Sequence, residues 1–167
     1  MDGVHCLANE PLHDVFSMDK RCCSHTKTRA GFCCELGIDL HDSKLIWMNG
    51  PFPAGPNDKA NFVNKGLKSK LAEVGKKAPG NKICNGCPNE CSTFNAFDSD
   101  AAKAFESHAQ MRHEQFNGML KEFDSMDRRF CHGEERFETC FEAICVVCQH
   151  RMENGEPPFD LLAGVEL

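Results

Sequence analysis

Tyrosine is absent from this chain of 167 residues although phenylalanine occurs 13 times, an imbalance for which we have no physical account. Long apolar runs are missing too. None approaches the ~20 residues that a helix needs to cross a bilayer, so no membrane partner is expected. Residues Met1 to Glu10 lack the basic-then-apolar pattern of a secretory signal, which gives an expected intracellular location, nuclear or cytoplasmic. That location predicts reduced thiols. The 12 cysteines would read as a disulfide scaffold in a short secreted protein, but here they are expected to serve mainly as small apolar residues and as possible ligands. Positive charge is also short, with 19 basic against 25 acidic residues and a net charge of −6. Such a chain exerts no overall pull on a phosphate backbone, so nucleic-acid contact must come from a local patch or another domain.

What is present suits a globular domain. Hydrophobic residues make up 41% and charged residues 26%, and the length is enough for one domain with a real core. The expected domain covers residues 1–158, with a C-terminal tail over 159–167. The stretch from Met1 to Ala8 reads as a strand with Asp2 near its start. Gly31 to Leu40 alternates in part, His41-Asp42-Ser43 is turn-like, and Leu45 to Met48 forms the hairpin partner. Asn49 to Pro56 is dense in turn formers and is expected to be a loop. Asp58 then caps one helix carrying Phe62, Leu67, Leu71 and Val74, which Gly75 and Pro79-Gly80 end. Lys82 to Cys84 is a thin candidate for a further strand. From Asp98 the pattern turns helical. Asp98, Ser99 and Asp100 offer caps, and Phe116, Met119, Leu120 and Phe123 recur at helical spacing. A last helix from about Glu134 to Glu153 carries Phe137, Phe141, Ile144, Cys148 and Met152 on one stripe, before Asn154-Gly155 and Pro157-Pro158 stop it.

Asp2-Gly3-Val4-His5 places a carboxylate on a strand, and Arg112-His113-Glu114-Gln115-Phe116-Asn117-Gly118 places another inside a long helix. Between them come the hairpin ending Trp47-Met48-Asn49-Gly50, the Pro-Gly loop with Asn57-Asp58, and Asn95-Ala96-Phe97-Asp98-Ser99. Phe141-Glu142-Ala143-Ile144-Cys145 and Met152-Glu153-Asn154-Gly155 follow. In this order the motifs resemble the DDE superfamily endonucleases, the Harbinger-like transposases, over most of the chain from Asp2 to about Asp160. The resemblance implies an α/β, ribonuclease H-like fold, a mixed sheet with flanking helices. It also implies a nuclease acting on DNA phosphodiester bonds through two divalent ions, Mg²⁺ or Mn²⁺. Hard oxygen ligands suit such ions. Asp2 would be the first catalytic, metal-holding carboxylate and Glu114 the third.

The sequence departs from the family at the second carboxylate. The family has Asp-x-Gly-Tyr-Pro where this chain has Cys84-Asn85-Gly86-Cys87-Pro88, so the Asp position falls on Cys84. A thiol is a soft ligand poorly matched to Mg²⁺, and little or no hydrolysis is expected. Asp58 is read first as a helix cap and second as a metal ligand. Because Met1 directly precedes Asp2, the expected first strand is truncated, and DNA binding would fall to a separate protein or a missing N-terminal domain.

The rival signal is Cys84-x2-Cys87-x3-Cys91, thiolates spaced to share one zinc ion with a fourth ligand from Cys6, His108 or His113. It would make the chain a zinc-stabilised interaction module; a decayed fragment without activity is the other alternative. Cys22-Cys23, Cys33-Cys34, Cys140, Cys145 and Cys148 are assigned to packing. Basic residues in Lys59 to Lys77 and Lys121, Arg128 and Arg129 are candidates for a DNA track, or simply solvated charge. His5 and His113 are candidate helpers of the metal ligands or phosphate contacts.

Overall fold

Val4, Cys6 and Ala8 are buried while Gly3, His5 and Leu7 are half-buried, a period-two pattern that makes Asp2–Leu7 the strand β1. A computed structural model of the chain describes residues 2–8, 29–55, 58–64, 66–79, 91–92 and 99–155. It pairs β1 antiparallel with β2, Gly31–Ile38, and β2 antiparallel with β3, Leu45–Pro53, in the order β1, β2, β3. Beyond β1, Phe130 donates its N–H to the Leu7 carbonyl at 2.8 Å, and Ala8 forms an isolated parallel bridge with Phe130. β2 thus lies inside the sheet and carries a nearly continuous apolar run, as a strand covered on both faces must.

The three-stranded sheet is antiparallel throughout, where a mixed sheet was expected. Among the described residues, parallel pairing is confined to the Phe130 bridge and to two two-residue strands, β4, Ala78–Pro79, and β5, Cys91–Ser92. The cause at β2 and β3 is their short connection, since a parallel pair needs a crossover of roughly a dozen residues. That connection is a tight turn. The Asp39 carboxylate accepts the N–H groups of His41 at 2.7 Å and Asp42 at 2.9 Å, and Ser43 takes a left-handed φ of 57°.

The expected loop at Asn49 to Pro56 is corrected in its first half. β3 continues through Pro51 to Pro53, with Phe52 opposite Cys33 and Pro53 opposite Phe32. β3 is the edge strand, where a missing proline N–H faces away from the ladder and costs no hydrogen bond. The single helix expected after Asp58 is two: α1, Asp58–Asn64, and α2, Leu67–Val74. Gly66 between them has φ 104°, a conformation that ends one helix and starts the next at a new angle.

The later helices follow their predicted stripes except at Phe123, which lies past the end of α3 as the cap of the next turn. α3, Asp100–Lys121, is capped by Ser99, whose hydroxyl accepts the Ala102 N–H at 3.2 Å. α4, Asp124–Asp127, is a single turn, and α5, Glu134–Asn154, buries Phe137, Phe141, Ile144, Cys145, Cys148 and Met152. None of the described helices is long and apolar enough to cross a membrane. Adjacent cysteines show how the layers divide. Cys34 joins Val4, Cys6 and Leu36 in the larger core against Phe116, Leu120, Phe137 and Phe141, whereas Cys33 accepts a contact from Asn61 of α1 at 3.6 Å. Helices α3, α4 and α5 therefore cover one face of the sheet and α1 the other, where Phe62, Leu67 and Cys91 form a smaller core with Trp47 and Leu71.

Phe137 sits at the centre of the larger core, its ring centroid 4.7 Å from Phe32, 5.2 Å from Phe130 and 6.0 Å from Phe141. Truncating it leaves a cavity among rigid rings. Phe137→Ala is expected to lower unfolding free energy by about 3–5 kcal/mol in a urea titration, whereas Val146→Ala should change it by less than about 0.5 kcal/mol. Val146 lies on the same helix but is 68% exposed.

Candidate functional site

The helix α3 is fastened to the end of β2 by two buried polar side chains. Helical periodicity turns Ala109, Arg112, His113 and Phe116 inward and leaves Glu114 and Gln115 exposed. Arg112 donates from Nη1 to the Leu40 carbonyl at 2.8 Å, and His113 Nε2 lies 3.1 Å from the Leu36 carbonyl. Since a carbonyl only accepts, Nε2 of His113 carries the hydrogen. Burial pushes the His113 pKa down to about 4, so the ring is neutral near pH 7 and Nδ1 is an acceptor. Nδ1 has no hydrogen-bond partner among the described residues, nor has Oδ1 of Asn117 one turn further along.

Asp2 and Glu114 stand on the two elements that this lock joins. Asp2 is the first residue of β1, and its backbone stands opposite Leu36, the residue whose carbonyl receives His113. Glu114 follows His113 directly and is exposed. The strand position of Asp2 and the helix position of Glu114 are thus linked through one residue, Leu36. Asp58 begins α1, across the sheet from the core that holds α3. The side chains of Asp2 and Asp58 lie outside the described residues, as do Cys84, Cys87 and the Lys82 to Cys84 strand candidate. Cys91, on β5, is buried beside Phe62 and Leu67. Among the described residues, no three His, Cys, Asp or Glu side chains gather at metal-binding distance.

The other candidates sort by what they touch. Lys121 does not join a DNA track, because its ammonium donates to the carbonyls of His5 at 2.7 Å and Met126 at 2.8 Å and approaches Cys6 Sγ at 3.7 Å. It clamps β1 to α4. Arg128 pairs with Asp124 at 3.1 Å and Lys70 with Glu73 at 3.3 Å, ordinary exposed ion pairs along a helix. His5 on β1 faces Cys33, its ring nitrogen 3.8 Å from the sulfur. The core thiols are chemically quiet: burial, with Cys6 and other thiols near, raises Cys34, and burial pushes Cys145 up to about 12. They stay protonated and pack as apolar groups.

Sequence reasoning missed a cavity of about 260 Å³ where α3 docks on the sheet end. Ile38, Trp47, Leu67 and Leu71 give it an apolar wall, and Arg112, Lys76 and Lys77 bring positive charge. Asp39, also in its lining, is held below the usual carboxylate range by the N–H groups of Asp42 and His41, with Lys76 adding to the effect. The only local signal was the pair Lys76-Lys77 after Gly75; the partners lie far away in sequence. Comparison of the chain with models of known protein families, with curated proteins and with solved structures gives no match.

The His113 lock titrates in a defined direction. Its folded pKa of about 4 lies below the ordinary value of 6.5, so the unfolded chain binds the extra proton between these limits. Stability is then full above about pH 6.5 and falls as pH drops toward 4. Chemical denaturation at pH 7.5 and pH 5 should show a loss on acidification that is smaller by about 1–2 kcal/mol in His113→Gln, whose amide offers an N–H to the Leu36 carbonyl but does not titrate.

Proposed function

We propose that the chain is a transposase-derived domain of the DDE endonuclease type, which binds a divalent ion and DNA but hydrolyses phosphodiesters weakly or not at all. The observation that carries this reading is the register of Asp2 with Leu36, whose carbonyl bonds the neighbour of Glu114. Two carboxylate-bearing residues 112 positions apart on the chain thus sit on a strand and a helix that both contact Leu36. An antiparallel three-stranded sheet followed by helices is compatible with the ribonuclease H-like fold.

The donor set matches the family's two-ion centre only in part. Asp2 and Glu114 offer hard carboxylate oxygens suited to Mg²⁺ or Mn²⁺, but the middle position holds Cys84. The set fits one hard ion and not a matched pair. A bound ion would supply charge stabilisation at a phosphate oxygen; the protein's own part is to fix the helix that carries Glu114, through the His113 and Arg112 anchors. Zinc at Cys84, Cys87 and Cys91 is the rival reading from their spacing; Cys91 is buried beside Phe62 and Leu67.

Supercoiled plasmid incubated with the protein and Mg²⁺ or Mn²⁺ should stay at background nicking. Mn²⁺ binding followed by electron paramagnetic resonance should be measurable and weaken by about tenfold in Glu114→Gln. Robust nicking lost in Glu114→Gln would overturn the impairment while keeping the family reading. Mn²⁺ binding unchanged in both Glu114→Gln and Asp2→Asn would overturn the metal reading itself.

A further inference from the structure

Away from the carboxylates and from the cavity beside α3, the fold sets a thiol against an amine. Cys6 of β1 is buried, at 1% exposed, and Lys121 at the end of α3 is half-buried. The Lys121 ammonium lies 3.7 Å from Cys6 Sγ, and it also donates to the backbone carbonyls of His5 at 2.7 Å and Met126 at 2.8 Å. Three donors thus have three acceptors. Both carbonyls belong to the backbone, so the nitrogen is held from two sides and leaves the sulfur only by breaking bonds to both. Cys6 Sγ directs its own hydrogen toward Met126 Sδ at 4.0 Å.

A cation beside sulfur favours the thiolate, the form that peroxide oxidises to a sulfenic acid, and a sulfenic acid condenses with a neighbouring thiol or nitrogen. The thiols near Cys6 are poor partners for that step. Burial and then the nearness of Cys6 raise Cys34, and burial, with Cys148 and Cys6 near, pushes Cys145 up to about 12, so their thiolates are scarce. The amine of Lys121 is held in place. We infer that Cys6 and Lys121 are a peroxide-responsive modification site, at which a sulfenamide bond between Sγ and Nζ joins β1 to α3 reversibly. In the first step hydrogen peroxide gives one oxygen to the Cys6 thiol, forming the sulfenic acid and one water. The Lys121 ammonium then releases a proton to solvent, and its nitrogen lone pair attacks the sulfur. The S–O bond breaks as the hydroxyl leaves with a second nitrogen proton as water. Sulfur loses two electrons in all and peroxide gains two. Two equivalents of a thiol reductant reverse the bond, restoring thiol and amine and forming the reductant's disulfide.

The bond changes what holds β1 to the helical layer. Cys6 and Lys121 are 115 positions apart, so the crosslink closes a ring over most of the chain and removes conformations from the unfolded state. The neutral sulfenamide keeps one N–H for the two carbonyls that the ammonium served, and the covalent bond replaces the rest of the clamp. The oxidised chain should therefore melt higher than the reduced chain, by about 5 °C or more.

The test treats the full, reduced chain with hydrogen peroxide, caps the remaining thiols, digests with trypsin and maps the peptides by mass spectrometry. The Cys6 peptide should appear joined to the peptide that spans Lys121, at their summed mass less two hydrogens. Trypsin should no longer cut after Lys121, and dithiothreitol should restore both separate peptides. In Lys121→Arg the charge and the donors remain but the guanidinium does not condense, so Cys6 should gain oxygen instead, and the rise in melting temperature should vanish. The linked peptide is read in the natural chain, so the outcome stands even if the variant folds poorly. The inference is overturned if Cys6 stays a thiol while other cysteines oxidise, or if Cys6 is recovered in a disulfide with Cys34 or Cys145. It is equally overturned if Cys6 gains oxygen to the same extent in the natural chain as in Lys121→Arg.

Discussion

The central strand β2 is the constraint on which the rest of the molecule depends. It is hydrogen-bonded on both edges, to β1 and β3, and it is covered on both faces, by α3, α4 and α5 on one side and α1 on the other. No residue from Gly31 to Leu36 is exposed, and the side chains there are small where two layers must approach. A β-carbon added at Gly31 would lie 2.3 Å from the Cys6 carbonyl oxygen, so only glycine fits between the strands at that point. Consecutive cysteines serve the same end. Cys33 and Cys34 fill opposite faces with compact apolar sulfur, and the raised Cys34 pKa keeps that sulfur neutral.

Each outer element is then tied back to β2 or to its neighbours by a polar contact that hydrophobic packing could not orient. His113 and Arg112 bond the Leu36 and Leu40 carbonyls from α3. Gln149 of α5 accepts the Leu45 N–H at 2.7 Å where β3 begins, and Arg151 meets Glu122 at 2.7 Å just past the end of α3. Lys121 spans β1 and α4. Buried donors of this kind add direction more than net stability, because each bond made in the fold replaces one made to water. Here direction is what fixes the rotation of α3, and with it the outward projection of Glu114.

How much of this could be read in advance follows the range of each interaction. The stripe of α5 from Phe137 to Met152 and the turn at His41-Asp42-Ser43 were legible, since both are set by neighbours within a few residues. β3 was cut short because Pro51 and Pro53 announce a loop unless the strand is known to be an edge, and edge position is a property of the whole sheet. The break at Gly66 was likewise hidden by an apolar period that α1 and α2 share. At the candidate site the motif around Glu114 was visible, but the anchors were not: His113 and Leu36 are 77 residues apart, and Arg112 and Leu40 are 72. Lys121 shows the error in the other direction, a basic residue read as solvent-facing that is drawn inward by two carbonyls.

The charge distribution bears on the proposed function. A net charge of −6 repels a polyanion at long range, but at physiological salt that field is screened beyond about 8 Å. Within that distance local charge decides, and at the sheet end Arg112, Lys76, Lys77 and Asp39 line one cavity. Lys70, Lys103 and Arg128 are each offset by an acidic residue three or four positions earlier or later in the chain. Gripping a duplex would fall to a basic surface contributed by another domain or another protein.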